Sequence, residues 1–228
     1  MKITSSPIII NKLAWILIIT VFASLSLSAQ LPAREEPRHK PVLQNKYLRL
    51  LDVWMPPGDT SQYHIHTIPS LFLPLSNTTV ASQIMGQAWT NEKFVIGKAW
   101  YRSFLQDTLV HRVSNLSSTT LHVTDVEILS SYHSNPSDIK PLPFPLLLEN
   151  EKSFAYQLKR SEFKNQIISG CGPLLAQLAT GDNLIFHDVL ENTTKEIKTG
   201  NYLYIAPGAT FYFTAQGKNP SLILFEIK

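Results

Sequence analysis

From residue 47 onward the apolar residues of this chain come in short runs, and none carries the sustained three-to-four-residue period of a long helix. The runs 47–55, 63–66, 71–75, 80–89, 94–96, 99–104, 109–113 and 120–129 fill the first half, closed by turn residues such as Pro56-Pro57-Gly58 and Ser76-Asn77-Thr78. They resume after residue 145 at 154–158, 167–169, 174–178, 184–190, 202–205, 211–214 and 221–227, with a short helix expected over 161–166. Short strands at regular spacing, punctuated by Pro, Gly and Asn, predict an antiparallel sandwich or barrel.

The strands fall into two sets. Residues 130–145 carry Pro136, Pro141, Pro143 and Pro145 and read as a linker. The flanking halves match weakly but in order: Pro41-Val42-Leu43-Gln44-Asn45 opens the first and Pro145-Leu146-Leu147-Leu148-Glu149-Asn150 the second. Val126-Glu127-Ile128 and Phe225-Glu226-Ile227 close them, and Gly97 leading to His111 corresponds to Gly200 leading to Phe211. The expected organisation is a leader at 1–29, an irregular charged lead-in at 30–40, a first barrel at 41–129, the linker at 130–145 and a second barrel at 146–228.

The leader reads as a cleaved signal peptide. Lys2 and Lys12 precede an apolar core at 13–22 and a small-residue end, with cleavage after Ser28 or Ala29. Asn11 and Lys12 interrupt the run that would otherwise nearly span a bilayer, so no stable membrane anchor is expected after removal. This places the protein in the periplasm or outside the cell. Lys and Arg number 20 and Asp and Glu 17; without Lys2 and Lys12 the balance is 18 − 17 = +1, and no basic stripe suggests nucleic acid. The sole cysteine, Cys171, permits no internal disulfide.

Seven histidines are present. His64 and His66 flank Ile65, and on a strand two residues so spaced point the same way while the one between faces the opposite side. Paired imidazoles on one face make half of a metal site, and His111, in a later strand-like run, is the candidate for the rest. Gln62 shares the parity of the pair and is either a neighbour of the site or a wall residue. Asn115 either orients His111 or a substrate, or caps a strand end. Trp89, Trp100 and Tyr101 line a pocket or pack as core. His122, His133 and His187 lack partners at ligand spacing and read as structural or surface, and His39, between Arg38 and Lys40, reads as exposed.

With these residues in view, the chain resembles the cupin superfamily of small jelly-roll barrels, many of which hold one divalent metal. Gly58, His64 and His66 match the first cupin motif in spacing, with Ser70 and Leu71 where its Glu would fall. His111 and Asn115 match the end of the second motif, with Gln106 and Thr108 where Pro and Gly are usual. In the second half Gly200 and Pro207-Gly208 match the turn of that motif but Phe211 stands at the ligand position. The resemblance implies an all-β fold of two tandem cupin-type jelly-roll β-barrels, only the first retaining ligands: His64, His66 and His111, with Ser70 or a backbone oxygen in place of the carboxylate. Imidazole donors suit Fe, Ni, Zn, Cu or Mn over Mg or Ca, and binding that needs neutral imidazoles is expected to weaken below about pH 6.

Function then has three readings. One is an oxygenase- or isomerase-like enzyme on a small molecule; the second a non-catalytic metal or small-molecule binding or sensing module; the third a purely structural double barrel, with homodimerisation across sheet edges. Gln62, Ser70 and Asn115 are the candidate substrate contacts.

Overall fold

The structure, a computed structural model, describes residues 30–133, 139–163 and 166–228. The segment 1–29, expected to be a signal peptide, and part of the expected linker, 134–138, lie outside the described residues, as do two positions of the helix expected over 161–166; what is described there is a 3-10 turn at Arg160–Glu162. Among the described residues no helix is long and apolar enough to cross a membrane.

The first half is built from β1 (Leu31–Pro32), β2 (His39–Gln44), β3 (Leu48–Met55), β4 (His64–His66), β5 (Ser70–Pro74), β6 (Thr78–Ile84), β7 (Thr90–Phe94), β8 (Trp100–Arg102), β9 (Leu109–Asn115) and β10 (Leu121–Ile128). They form two facing sheets, ordered β1-β4-β9-β6-β7 and β2-β3-β10-β5-β8. The second half supplies β11 (Leu146–Glu149), β12 (Ser153–Lys159), β13 (Leu174–Thr180), β14 (Asn183–Asp188), β15 (Thr193–Lys198), β16 (Tyr202–Ile205), β17 (Phe211–Gln216) and β18 (Ser221–Ile227). Their sheets run β11-β12-β18-β13-β16 and β15-β14-β17. The two halves thus repeat one strand order, with β18 in the place of β10 and β17 in the place of β9.

The strand that carries the histidine pair is short because its approach is a tight turn. Asp59 N–H donates to the Pro56 carbonyl, and Gly58 sits at φ +76°, a left-handed conformation open to glycine without a Cβ clash. Its N–H donates to Asn115 O, tying the turn to the end of β9.

Residues 30–40, expected to be irregular, are instead an ordered arm of the first barrel. β1 pairs in parallel with β4, Leu31 opposite His64; a 3-10 turn spans Ala33–Glu35; His39 begins β2. Proline was no obstacle because Pro32 lies on an edge strand and Pro37 in a turn, where no ladder hydrogen bond is required.

β10 and β18 are buried along nearly their whole lengths, unlike strands of a sandwich with one wet face. In β10, Leu121 and Val123 face the interior of the first barrel, while Val126 and Ile128 pack with Ala155, Leu175, Ile223 and Phe225 of the second. Thr124 Oγ1 donates to Gln177 Oε1 across the same contact at 2.8 Å. The barrels therefore share a dry sheet-on-sheet interface.

Candidate metal centre

β4 pairs with β9 in antiparallel register, His64 directly opposite His111, so three imidazoles face one another inside the first barrel. His66 Nε2 lies 3.1 Å from His64 Nε2 and 3.2 Å from His111 Nε2. His64 and His66 are buried. The structure brings the sequence-predicted trio together.

A fourth ring joins them. His39, expected to be exposed, is 9 % exposed, its ring 4.5 Å from that of His64, and one nitrogen from each of His39, His64 and His66 falls within a 4.8 Å set. Charged neighbours hid it: Arg38, in the turn before β2, reaches outward into a two-bond pair with Asp59 (2.7 and 2.9 Å), while the hydrogen bond to buried Glu36 holds the His39 ring inward.

Each ring is oriented from behind. His64 Nδ1–H donates to the Gln62 carbonyl at 2.9 Å and His39 Nδ1–H to Glu36 Oε2 at 2.8 Å, which leaves their Nε2 lone pairs toward the cavity. His111 Nδ1 shares a hydrogen bond with Ser82 Oγ at 3.2 Å. Behind His66 Nδ1 stands the buried Asp125 carboxylate at 3.4 Å, with neither oxygen otherwise hydrogen-bonded.

Burial, with the neighbouring His39 and His66, pushes His64 down to about 3; burial and the other three rings push His111 down to about 2. Both are neutral donors at ordinary pH. Glu36, only 1 % exposed, is raised by burial, but His39 and the Arg38 and Gln62 N–H groups outweigh that and hold it at about 2. Neutral imidazole nitrogens a hydrogen-bond length apart either share a proton or turn their lone pairs on a common cation, and a set of such donors fits a divalent transition metal.

The walls are apolar. A cavity of about 230 Å³ is lined by the histidines, Asp125 and residues such as Phe72, Phe94, Trp100 and Phe104. Phe104 stacks on the His66 ring at 5.1 Å and 19° and holds φ +55°, strain that a bulky residue bears only when its surroundings impose it. Of the three aromatics named from the sequence, Trp100 lines this cavity, Trp89 lies over Arg112, and Tyr101 turns to the other face and donates to Glu151 Oε1.

The structure does not bring the other candidates into the cavity. Gln62 is exposed and meets the site only through its backbone, its carbonyl on His64 and its N–H on Glu36, because β4 begins at His64 and the alternation does not extend back to it. Ser70 is buried, donates to Ile68 O at 3.1 Å and is not part of the lining. Asn115 caps a strand end: its Nδ2 donates to Met55 O and Thr119 O, and its Oδ1 accepts from Ser117 N–H. Asn115→Ala should therefore cost about 2 kcal/mol in urea denaturation, from buried carbonyls left unpaired, with metal affinity unchanged. Of the remaining histidines, His122 donates to Asp52 under Trp54, and His187 hydrogen-bonds Thr214 beside Tyr212.

The second barrel has no such centre among its described residues. The bridge Ile168–Phe211 occupies the place of the His64–His111 pair, and both residues are buried in an apolar core.

No family model matches the chain, and no curated protein matches it in sequence. Solved structures do match in fold. Salicylate 1,2-dioxygenase from Pseudoaminobacter salicylatoxidans, in adducts with gentisate, superposes with a TM-score of 0.59 at 8 % identity, over 93 % of this chain and 79 % of that one. AerE from Microcystis aeruginosa gives 0.56 at 14 % identity over 85 % and 98 %, and a cupin 2 conserved barrel domain protein from Leptotrichia buccalis 0.53 at 10 % over 91 % and 94 %. At such identities the likeness is one of fold.

Proposed function

We propose, for a chain that has the cupin fold in duplicate, that its first barrel is a divalent transition-metal centre acting on a small molecule and that its second is a structural partner. The observation that carries this is that His66 Nε2 lies 3.1 Å from His64 Nε2 and 3.2 Å from His111 Nε2, all three rings lining one cavity. His39 is the fourth donor in this reading, taking the part left open by the absent carboxylate. The metal would supply Lewis-acid charge to a bound ligand. The chain's own residues do the rest: Glu36, the Gln62 carbonyl and Ser82 hold the rings in orientation, Asp125 supports His66, and Phe104 with the aromatic wall keeps water from the site. An exported setting and an oxygenase- or isomerase-like reaction belong to the same proposal; the solved adduct of salicylate 1,2-dioxygenase with gentisate supports a small-molecule ligand in this fold.

The test is metal content after purification, with Fe, Ni, Zn, Cu and Mn each offered. About one transition-metal ion per chain is expected, and an empty wild-type protein would remove the metal reading. His39→Ala should retain the metal but bind it about tenfold or more weakly in a chelator competition. Oxygen uptake or product formation with aromatic acids then separates an enzyme from a binding module.

A further inference from the structure

Resting on that metal reading, we propose that the ligand of the first barrel is a small planar monocarboxylate, its carboxylate paired with Arg102 and its ring against the wall of Phe72, Phe94 and Trp100. β8 pairs with β5, Ser70 opposite Arg102 and Phe72 opposite Trp100, and the alternation puts Trp100 and Arg102 on the cavity side while Tyr101 faces away. Arg102 is the only Arg or Lys among the described residues lining the cavity. Its guanidinium lies 5.0 Å over the Phe104 ring, the ring that in turn stacks on His66.

The guanidinium is open to exchange. Its one ion pair among the described residues is with Asp107 at 3.1 Å, whose side chain is 86 % exposed, a solvent-screened contact that contributes little. A carboxylate offered by a ligand would meet the same planar fork in a less hydrated place. Phe72 and Trp100 are stacked at 5.1 Å and 13°, and Phe94 packs on Trp100 at 5.1 Å and 52°, which gives the cavity an aromatic wall. At about 30 Å³ per water, a cavity of 230 Å³ holds ~8 waters, the room of one ring with a carboxylate and a small substituent.

The other charges facing the cavity limit the ligand to a single negative charge. Glu92 lines it from β7 and Asp125 stands behind His66, so a second anionic group would meet an acid. With only imidazole donors around it, a bound metal would keep its full positive charge and attract the ligand's carboxylate.

The experiment is calorimetric binding of benzoate, benzamide and phthalate to the metal-loaded protein, its R102M variant and R102K, with metal content measured on each sample. Wild type should prefer benzoate over benzamide by about tenfold or more and over the dianion phthalate as well. R102M should erase the benzoate preference while leaving benzamide affinity within about twofold, and R102K, which keeps the charge and guards against a folding defect, should retain part of it. Equal binding of benzoate and benzamide to metal-loaded wild type, a preference that survives R102M, or no binding of any probe overturns the assignment. Protein that takes up no metal yet shows the Arg102-dependent preference supports the carboxylate site and removes the metal reading instead.

Discussion

His66→Ala should leave a folded protein that no longer retains a metal. Its Nε2 is the common neighbour of the other two, 3.1 Å from that of His64 and 3.2 Å from that of His111, so its loss takes away the donor on which the set converges. Metal per chain measured by mass spectrometry should fall from about one to near zero, and affinity for added Zn or Ni should drop at least about hundredfold. Circular dichroism should be little changed, because the ladder that holds β4 to β9 is backbone and survives the substitution. A His66→Ala protein that keeps stoichiometric metal would sink the centre described above.

Titration of His64 and His111 should cost the metal-free protein about 4 kcal/mol of stability between pH 7 and pH 5, offset in part by Glu127 and Glu226, whose carboxyls burial raises. In the unfolded chain His64 and His111 titrate near 6.5; folded, burial and neighbouring rings hold them at about 3 and about 2. Below pH 6.5 the unfolded state gains these protons and the folded state does not, so stability falls with pH, by 1.36 kcal/mol per unit for each group. At pH 5 that is about 2 kcal/mol apiece. Above pH 6.5 neither state binds the protons and the effect vanishes. Glu36 works in a lower window: held at about 2, it contributes stability above its ordinary value of 4.5 that is lost as the pH falls toward 2. Denaturant melts of chelator-treated protein at pH 7, 6 and 5 measure this, and a flat profile would contradict the buried neutral cluster. The same depression moves the loss of metal to lower pH than the value near 6 expected of free imidazoles, since at His64 and His111 the folded site meets little proton competition there.

Three of the four converging rings were legible in the sequence because a strand's two-residue alternation is a local rule: His64 and His66 obey it, and His111 follows a recognisable spacing. His39 was not legible. Its flanks, Arg38 and Lys40, carry the signature of a solvated segment, and only the tertiary pairing of Arg38 with Asp59 and the burial of Glu36 turn the arm inward. Gln62 and Ser70 mark the reverse error. Parity was extended from His64 back past the start of β4, and a motif position was taken to face the cavity when Ser70 satisfies its own turn. The repeat was legible in its ends, Glu127 with Glu226, and the loss of ligands from the second copy in Phe211. That Ile168 stands where His64 does was not, since no spacing marked it before the bridge to Phe211 was seen.

The face that β10 turns away from its own barrel carries a consequence for anyone who would cut this molecule in two. Val126 and Ile128 on one side, and Ile223 and Phe225 on the other, shelter one another from water, and the Thr124–Gln177 hydrogen bond is made across the same seam. A truncation after residue 129 would keep every histidine of the cluster but strip its supporting sheet bare. Such a fragment should come out of the cell as aggregate, because the apolar face that the second barrel covers would be open to water.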